Sequence, residues 1–120
     1  MKREKLFGAY IRESRERLKK NDPAYSLRQV AGRVGIEPAY LSKIERGEQN
    51  PPSEDTIRKL AKDLGENVDV LLAMGGKVSS DLLRILIARP KLFAELIRQI
   101  ETLPEDAILH LVREVRDGDW

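Results

Sequence analysis

The twenty residues from Leu27 to Arg46 constrain this chain more than any other stretch. Val30, Val34, Ile36, Leu41 and Ile44 set apolar side chains at helical spacing on two short segments, and Gly35 stands between those segments. Such a pattern suits two helices crossing at a steep angle. The first must present an apolar side, one position must be small enough for the second helix to approach, and the joint needs a residue that accepts positive φ. Ala31 is the small residue and Gly35 the joint, so seven positions of the window meet one geometric demand.

The rest of the chain reads as helical too. No segment alternates apolar and polar residues over a strand length, and β-branched residues are scattered, which gives an all-α fold class. A first helix is expected over 5–20, with Leu6, Phe7, Tyr10, Ile11 and Leu18 on or near its buried stripe, and Asn21-Asp22-Pro23 stops it. Ser26 caps the second helix, which ends near Val34; Pro38 sits in the first turn of the third, where a missing N–H costs nothing, and Gly47 closes it. After the loop from Glu48 to Pro52, Ser53 caps a fourth helix carrying Ile57, Leu60, Ala61 and Leu64, and Gly65 ends it. Asn67 caps a short fifth helix with Val68, Leu71 and Leu72, and Gly75-Gly76 reads as a hinge. Three amphipathic segments follow, over 81–89, 91–101 and 105–117, with Pro90 and Pro104 where new helices begin. The expected organisation is one domain over 1–75 and a helical region over 79–120.

Composition narrows the chemistry. The chain has no cysteine and a single histidine, His110, so disulfides, thiolate metal sites and zinc sites of the usual type are not expected, nor is a cofactor. Its carboxylates are scattered singly and one lone histidine makes no dyad, so an enzyme is not expected. No run of about 18 apolar residues exists, and Met1-Lys2-Arg3-Glu4-Lys5 lacks the apolar stretch of a signal peptide. The expected location is therefore cytoplasmic. Residues 1–78 carry 16 Lys/Arg and 12 Asp/Glu, while 79–120 carry 6 and 8. The basic part suits either an electrostatic footprint for nucleic acid or an ordinary solvated helical surface.

The outward side of the third helix separates those two readings. Glu37, Pro38, Ala39, Tyr40, Ser42, Lys43 and Arg46 lie off its buried stripe. They mix short polar, small and cationic types, the kind of surface that enters a major groove. Lys43 can donate to guanine O6 and N7, Ser42 can pair with several bases, Ala39 can touch a thymine methyl, and Glu37 can only accept, from a cytosine amine. Arg46, Gln49 and Asn50 stand where phosphate is expected, and the first turn of the second helix, with Ser26 and Arg28, can hold another phosphate through backbone N–H groups.

Residues 5–73 resemble the Cro/cI-type helix-turn-helix family of phage and bacterial regulators, also called the xenobiotic-response-element family. The stretch from Ser26 to Ile36 is similar to its first motif helix and turn, Tyr40 to Gly47 to its recognition helix and exit, and Asn50-Pro51-Pro52 with the following apolar helix to its next element. The resemblance implies a five-helix, lambda-repressor-like domain that binds double-stranded operator DNA as a dimer. It implies base reading from Pro38, Ala39, Ser42 and Lys43, and phosphate anchoring near Arg28, Arg46 and Asn50. It also implies an ion pair between Arg15 of the first helix and Glu45 of the recognition helix, which orients that helix. Two departures stand out. The link from Lys20 to Tyr25 is longer than usual, and the recognition helix starts Glu37-Pro38-Ala39 where many members carry Gln or Ser.

Three short helices cannot bury the broad apolar stripes of 79–120 by themselves. They must pack on the first domain or pair with another chain, and homodimerisation is the expected outcome, since a dimer doubles the phosphate contacts and the specificity. The layout is similar to small bacterial repressors with an appended helical oligomerisation region. The alternative is an antitoxin or anti-regulator whose C-terminal helices hold a partner protein. His110 is expected at an interface or on the surface; Trp120 suits either a dimer interface or an exposed end.

Overall fold

The computed structural model describes residues 2–120, and among them every regular element is a helix. The chain divides into two compact units, Met1–Ser79 and Ser80–Trp120. No helix of the described residues is long and apolar enough to cross a membrane.

The first unit holds α1 (Arg3–Lys19), a 3-10 turn (Pro23–Tyr25), α2 (Leu27–Val34), α3 (Pro38–Glu45), α4 (Glu54–Leu64) and α5 (Val68–Met74). Side-chain caps define the starts. Ser26, Ser53 and Asn67 each accept from the backbone N–H three residues on, at 3.3, 3.3 and 3.1 Å. Gly35 and Gly65 end α2 and α4 in the left-handed conformation. The core is Phe7, Ile11, Val30, Ala31, Val34, Leu41, Ile44, Ile57, Leu60, Ala61, Leu64, Leu71 and Leu72. It draws on all five helices, so α3 rests on a floor it shares with every other element of the unit.

Three expectations about this unit change. The first helix starts at Arg3, two residues early, because Lys2 is already an extended N-cap. Leu6 is 46% exposed, since the buried line of α1 runs through Phe7, Gly8, Ile11, Ser14 and Arg15, and Leu6 lies to its side. Gly75 is buried and stops α5, with Gly75 N donating to Leu71 O and Lys77 N to Leu72 O, so the first glycine of the pair belongs to a packed helix end. The long link after α1 is the 3-10 turn, held by Asp22, whose carboxylate accepts from Ala24 N at 2.9 Å.

The second unit holds α6 (Ser80–Ala88), α7 (Pro90–Ile100) and α8 (Glu105–Asp117), none with a buried residue. Large apolar side chains are open on all three, among them Leu83 and Ile87 on α6, Leu92 and Ile97 on α7, and Val112 and Val115 on α8. Leu96 and Ile100 of α7 and Ile108, Leu111 and Val115 of α8 line an apolar groove of about 540 Å³. His110 is exposed beside Glu114, and Trp120 is 90% exposed, its indole N–H donating to Val115 O at 3.0 Å.

Candidate nucleic-acid interface

Two helices and the turn between them build the site. Gly35 has φ 84°, and the amides of Gly35 and Ile36 both return to Ala31 O, at 2.9 and 3.0 Å. That shared acceptor turns the chain sharply from α2 into α3. Val30, Ala31 and Val34 on one helix and Leu41 and Ile44 on the other are buried, with Ile36 packed at the edge. Pro38 opens α3 as its first residue; Glu37 before it is extended and caps nothing with its side chain.

Contacts with α1 hold α3 from behind. Gly8 lies so close that a Cβ placed there falls 2.1 Å from Ile44 O and 2.8 Å from Glu45 O, so the two helix backbones touch. Two turns further along α1, Arg15 meets Glu45 in a two-pronged pair, Nε to Oε2 at 2.7 Å and Nη2 to Oε1 at 2.9 Å. Both side chains are only 5% exposed. Arg15 also donates to Tyr25 O at 3.2 Å, which ties the long link to the same anchor. The hydrogen bond from Arg15 to Glu45 raises the guanidinium's pKa further, against the opposing effect of burial.

The outward residues fall into two groups. Glu37, Ala39, Lys43, Arg28, Gln49 and Asn50 are exposed, and Arg28, Lys43, Gln49 and Asn50 make no side-chain hydrogen bond or ion pair among the described residues. Pro38, Tyr40, Ser42 and Ser26 are half-buried, Tyr40 being packed against the core. Arg46 is engaged. It donates from Nη1 to Ser42 Oγ and from Nη2 to Glu48 Oε2 at 2.8 Å. Ser42, Arg46, Leu27 at the start of α2, and Arg12 of α1 share a cleft of about 210 Å³. The Arg15–Glu45 pair forms part of its wall.

Hydrophobic spacing passes over several of these residues. Gly8 carries a signal, because a glycine within an apolar helical stretch costs about 1 kcal/mol against alanine and so calls for a packing reason. Glu48 carries none, since its meeting with Arg46 depends on the turn at Gly47, where φ is 72°. Arg12 reads only as one of many surface charges. Elsewhere in the unit, Arg33 forms a two-pronged pair with Asp63, at 2.6 and 3.0 Å, and lies 5.1 Å over the Tyr25 ring. Glu66 accepts from Tyr10 at 2.9 Å and Ser14 at 2.7 Å. Both clusters brace the helices that carry α3.

Known proteins are similar to this chain. An HTH-type transcriptional regulator of Mycobacterium tuberculosis is 38% identical over 69 residues, covering 58% of this chain and 45% of the relative. The HTH-type transcriptional regulator RghRB of Bacillus subtilis is 35% identical over 74 residues, covering 62% and 50%. The chain spans about half the length of the curated relatives it matches. The crystal structure of the clp gene regulator ClgR from Corynebacterium glutamicum shares the fold, with a TM-score of 0.51 and 23% identity over 82% of this chain and 95% of that one. A family model described as a helix-turn-helix domain matches residues 6–73, from the first turns of α1 to the end of α5. That span exceeds half of the sequence, and the chain belongs to the helix-turn-helix domain family.

Proposed function

We propose that this protein is a sequence-specific DNA-binding transcription regulator that lays α3 in the major groove of duplex DNA and acts as a dimeric repressor. The observation that carries the reading is the outward side of α3. Glu37, Pro38, Ala39, Ser42 and Lys43 form a small, polar and cationic surface, and the helix behind it is fixed by a backbone contact and a buried ion pair. In this reading Lys43 donates to guanine, Ser42 to a base acceptor, Ala39 meets a thymine methyl, and Glu37 accepts from cytosine. Ser26 and Arg28 at the start of α2, with Tyr40, Arg46, Gln49 and Asn50, hold phosphates and set the register. The names of the M. tuberculosis and B. subtilis relatives support the regulatory role.

Dimerisation is assigned to residues 79–120. The support is that α6, α7 and α8 bury none of their apolar residues, which a second copy of the same surface would cover. A dimer seated on its operator excludes other proteins from that stretch, hence repression. Binding of genomic fragments against excess competitor at two salt concentrations tests the reading. Retention of particular fragments, weakening steeply with salt, is the expected result, and equal loss of all fragments to competitor refutes it. Light scattering of the pure protein tests the assembly. A dimer that Leu111→Glu converts to monomer is expected. A folded wild-type monomer points instead to a different protein on those helices, as in an antitoxin or anti-regulator.

A further inference from the structure

We infer that Glu48 sets how tightly this protein holds any duplex, occupying with its own carboxylate a cationic corner that a backbone phosphate would otherwise fill. The inference rests on the DNA-binding reading above. The corner lies just past α3. Gly47, with φ 72°, folds the chain back so that Arg46 and Glu48 meet across it, and Glu48 N donates to Lys43 O at 2.9 Å. A Cβ on Gly47 would fall 2.7 Å from Lys5 Cγ, so Lys5 abuts the same turn. Glu48 accepts from Arg46 at 2.8 Å, while Lys43 and Lys5 act on it through space. The Arg46 hydrogen bond and then these two charges hold its carboxyl below the usual carboxylate range.

One carboxylate therefore faces three cations on the surface that reads DNA. A carboxylate and a phosphate present Arg46 with the same pair of acceptor oxygens. Any duplex must displace Glu48 from Arg46 and bring phosphate up to a negative charge. Unmatched DNA offers only its backbone and matched DNA adds base contacts to Lys43 and Ser42, but both meet this penalty alike. The same arrangement orients Ser42. Its oxygen accepts from Arg46, which leaves its hydroxyl hydrogen to be donated outward, to guanine O6 or N7, adenine N7 or thymine O4.

Glu48→Gln tests this, because it keeps the shape and an acceptor while removing the charge. Two probes are titrated across a salt series, a mixed-sequence duplex and a duplex that the wild-type protein has enriched from a random pool. Glu48 is more than half exposed, so thermal unfolding of the variant stays close to the wild-type temperature, lowered only by the loss of one exposed ion pair. The mixed-sequence duplex is expected to bind about two- to fivefold tighter, the range of an exposed ion pair, with a salt slope steeper by about one unit. The enriched duplex is expected to gain by the same factor, so the ratio between the two duplexes stays unchanged. In an Arg46→Ala background the gain shrinks, because the carboxylate acts in part through Arg46. Unchanged affinity and slope on mixed-sequence DNA overturn the inference while leaving the DNA-binding reading intact, and so does a full gain in the Arg46→Ala background. A wild-type protein that enriches no duplex overturns both.

Discussion

Replacing Gly8 with alanine should destabilise this protein, although the same change within an ordinary helix stabilises by about 1 kcal/mol. The added Cβ falls 2.1 Å from Ile44 O and 2.8 Å from Glu45 O, and a real Cβ contact is essentially never under 3.0 Å. Both obstacles are backbone, so no side chain can swing aside, and α1 and α3 must separate by about 0.9 Å at this point. Overpacking of this kind costs about 1–3 kcal/mol. Separation by about 1 Å also forfeits a quarter to a half of the dispersion between facing atoms, and it stretches the Arg15–Glu45 bonds from 2.7 and 2.9 Å. Less the gain in propensity, overpacking alone leaves a net loss of up to about 2 kcal/mol, and the lost dispersion and the stretched ion pair add to it. A unit of 79 residues has a total stability of about 4–12 kcal/mol at typical values per residue. Urea denaturation should therefore show a lower midpoint at unchanged slope. Operator affinity should fall even where the variant is fully folded, because α3 is tilted. A midpoint equal to or above wild type would refute the close approach of the two helices.

Glu45→Ala leaves Arg15 buried without its partner and should cost about 3–5 kcal/mol of stability, with operator affinity falling alongside; a combined Arg15→Met, Glu45→Leu variant should recover much of the stability, as urea denaturation would show. Lys43→Ala should keep its melting temperature and relax preference at one base pair by about 1–3 kcal/mol, read by competition among single-base operator variants. The Tyr10 phenol, donating to Glu66, has its pKa raised above 10.0 by that hydrogen bond and then by burial. A raised folded pKa means that its contribution is fully present below pH 10 and is lost as pH rises through the folded value. The difference in melting temperature between wild type and Tyr10→Phe should stay constant up to that pH and shrink above it. A difference that persists unchanged to pH 11 would show that the bond adds nothing.

The crossing of α2 and α3 is legible in the sequence because apolar spacing, a small residue and a turn glycine all describe one local event. The seven positions from Val30 to Ile44 lie in two short helices and the turn between them, and the burial of five of them, Val30, Ala31, Val34, Leu41 and Ile44, needs no knowledge of the rest of the chain. Helix α1 is less legible. Two of its five buried residues are polar, Ser14 and Arg15, and they are buried because Glu66 and Glu45 receive them. A hydrophobic stripe cannot mark such positions, and it cannot separate Leu6, which is 46% exposed, from the buried line beside it. Arg15 and Glu45 stand 30 residues apart, so only likeness to a known family suggested pairing them. Arg46 and Glu48 are near in sequence, yet their meeting depends on one positive φ at Gly47. The helices of 80–120 follow from their amphipathic spacing, which carries no local signature of what meets their apolar sides.

The fixings of α3 lie on one side of it, and this bears on how the two classes of substitution will differ. Gly8 meets its backbone, Glu45 is gripped by Arg15, Leu41 and Ile44 sit in the core, and the amides of Gly47 and Glu48 close its last turn on Ile44 O and Lys43 O. Ala39 and Lys43 on the other side are tied to nothing. Association with DNA is opposed by the ordering of whatever was loose beforehand. Here the helix is already in place, and the ordering that remains falls on long side chains such as Lys43 and Arg28. Changes behind the helix should therefore lower stability and weaken binding to every sequence together. Changes in front should leave stability within about 0.5 kcal/mol and alter only the preference among sequences. A front-side variant such as Lys43→Ala that lost stability, or a back-side variant such as Gly8→Ala that altered preference at full stability, would contradict this division of the helix.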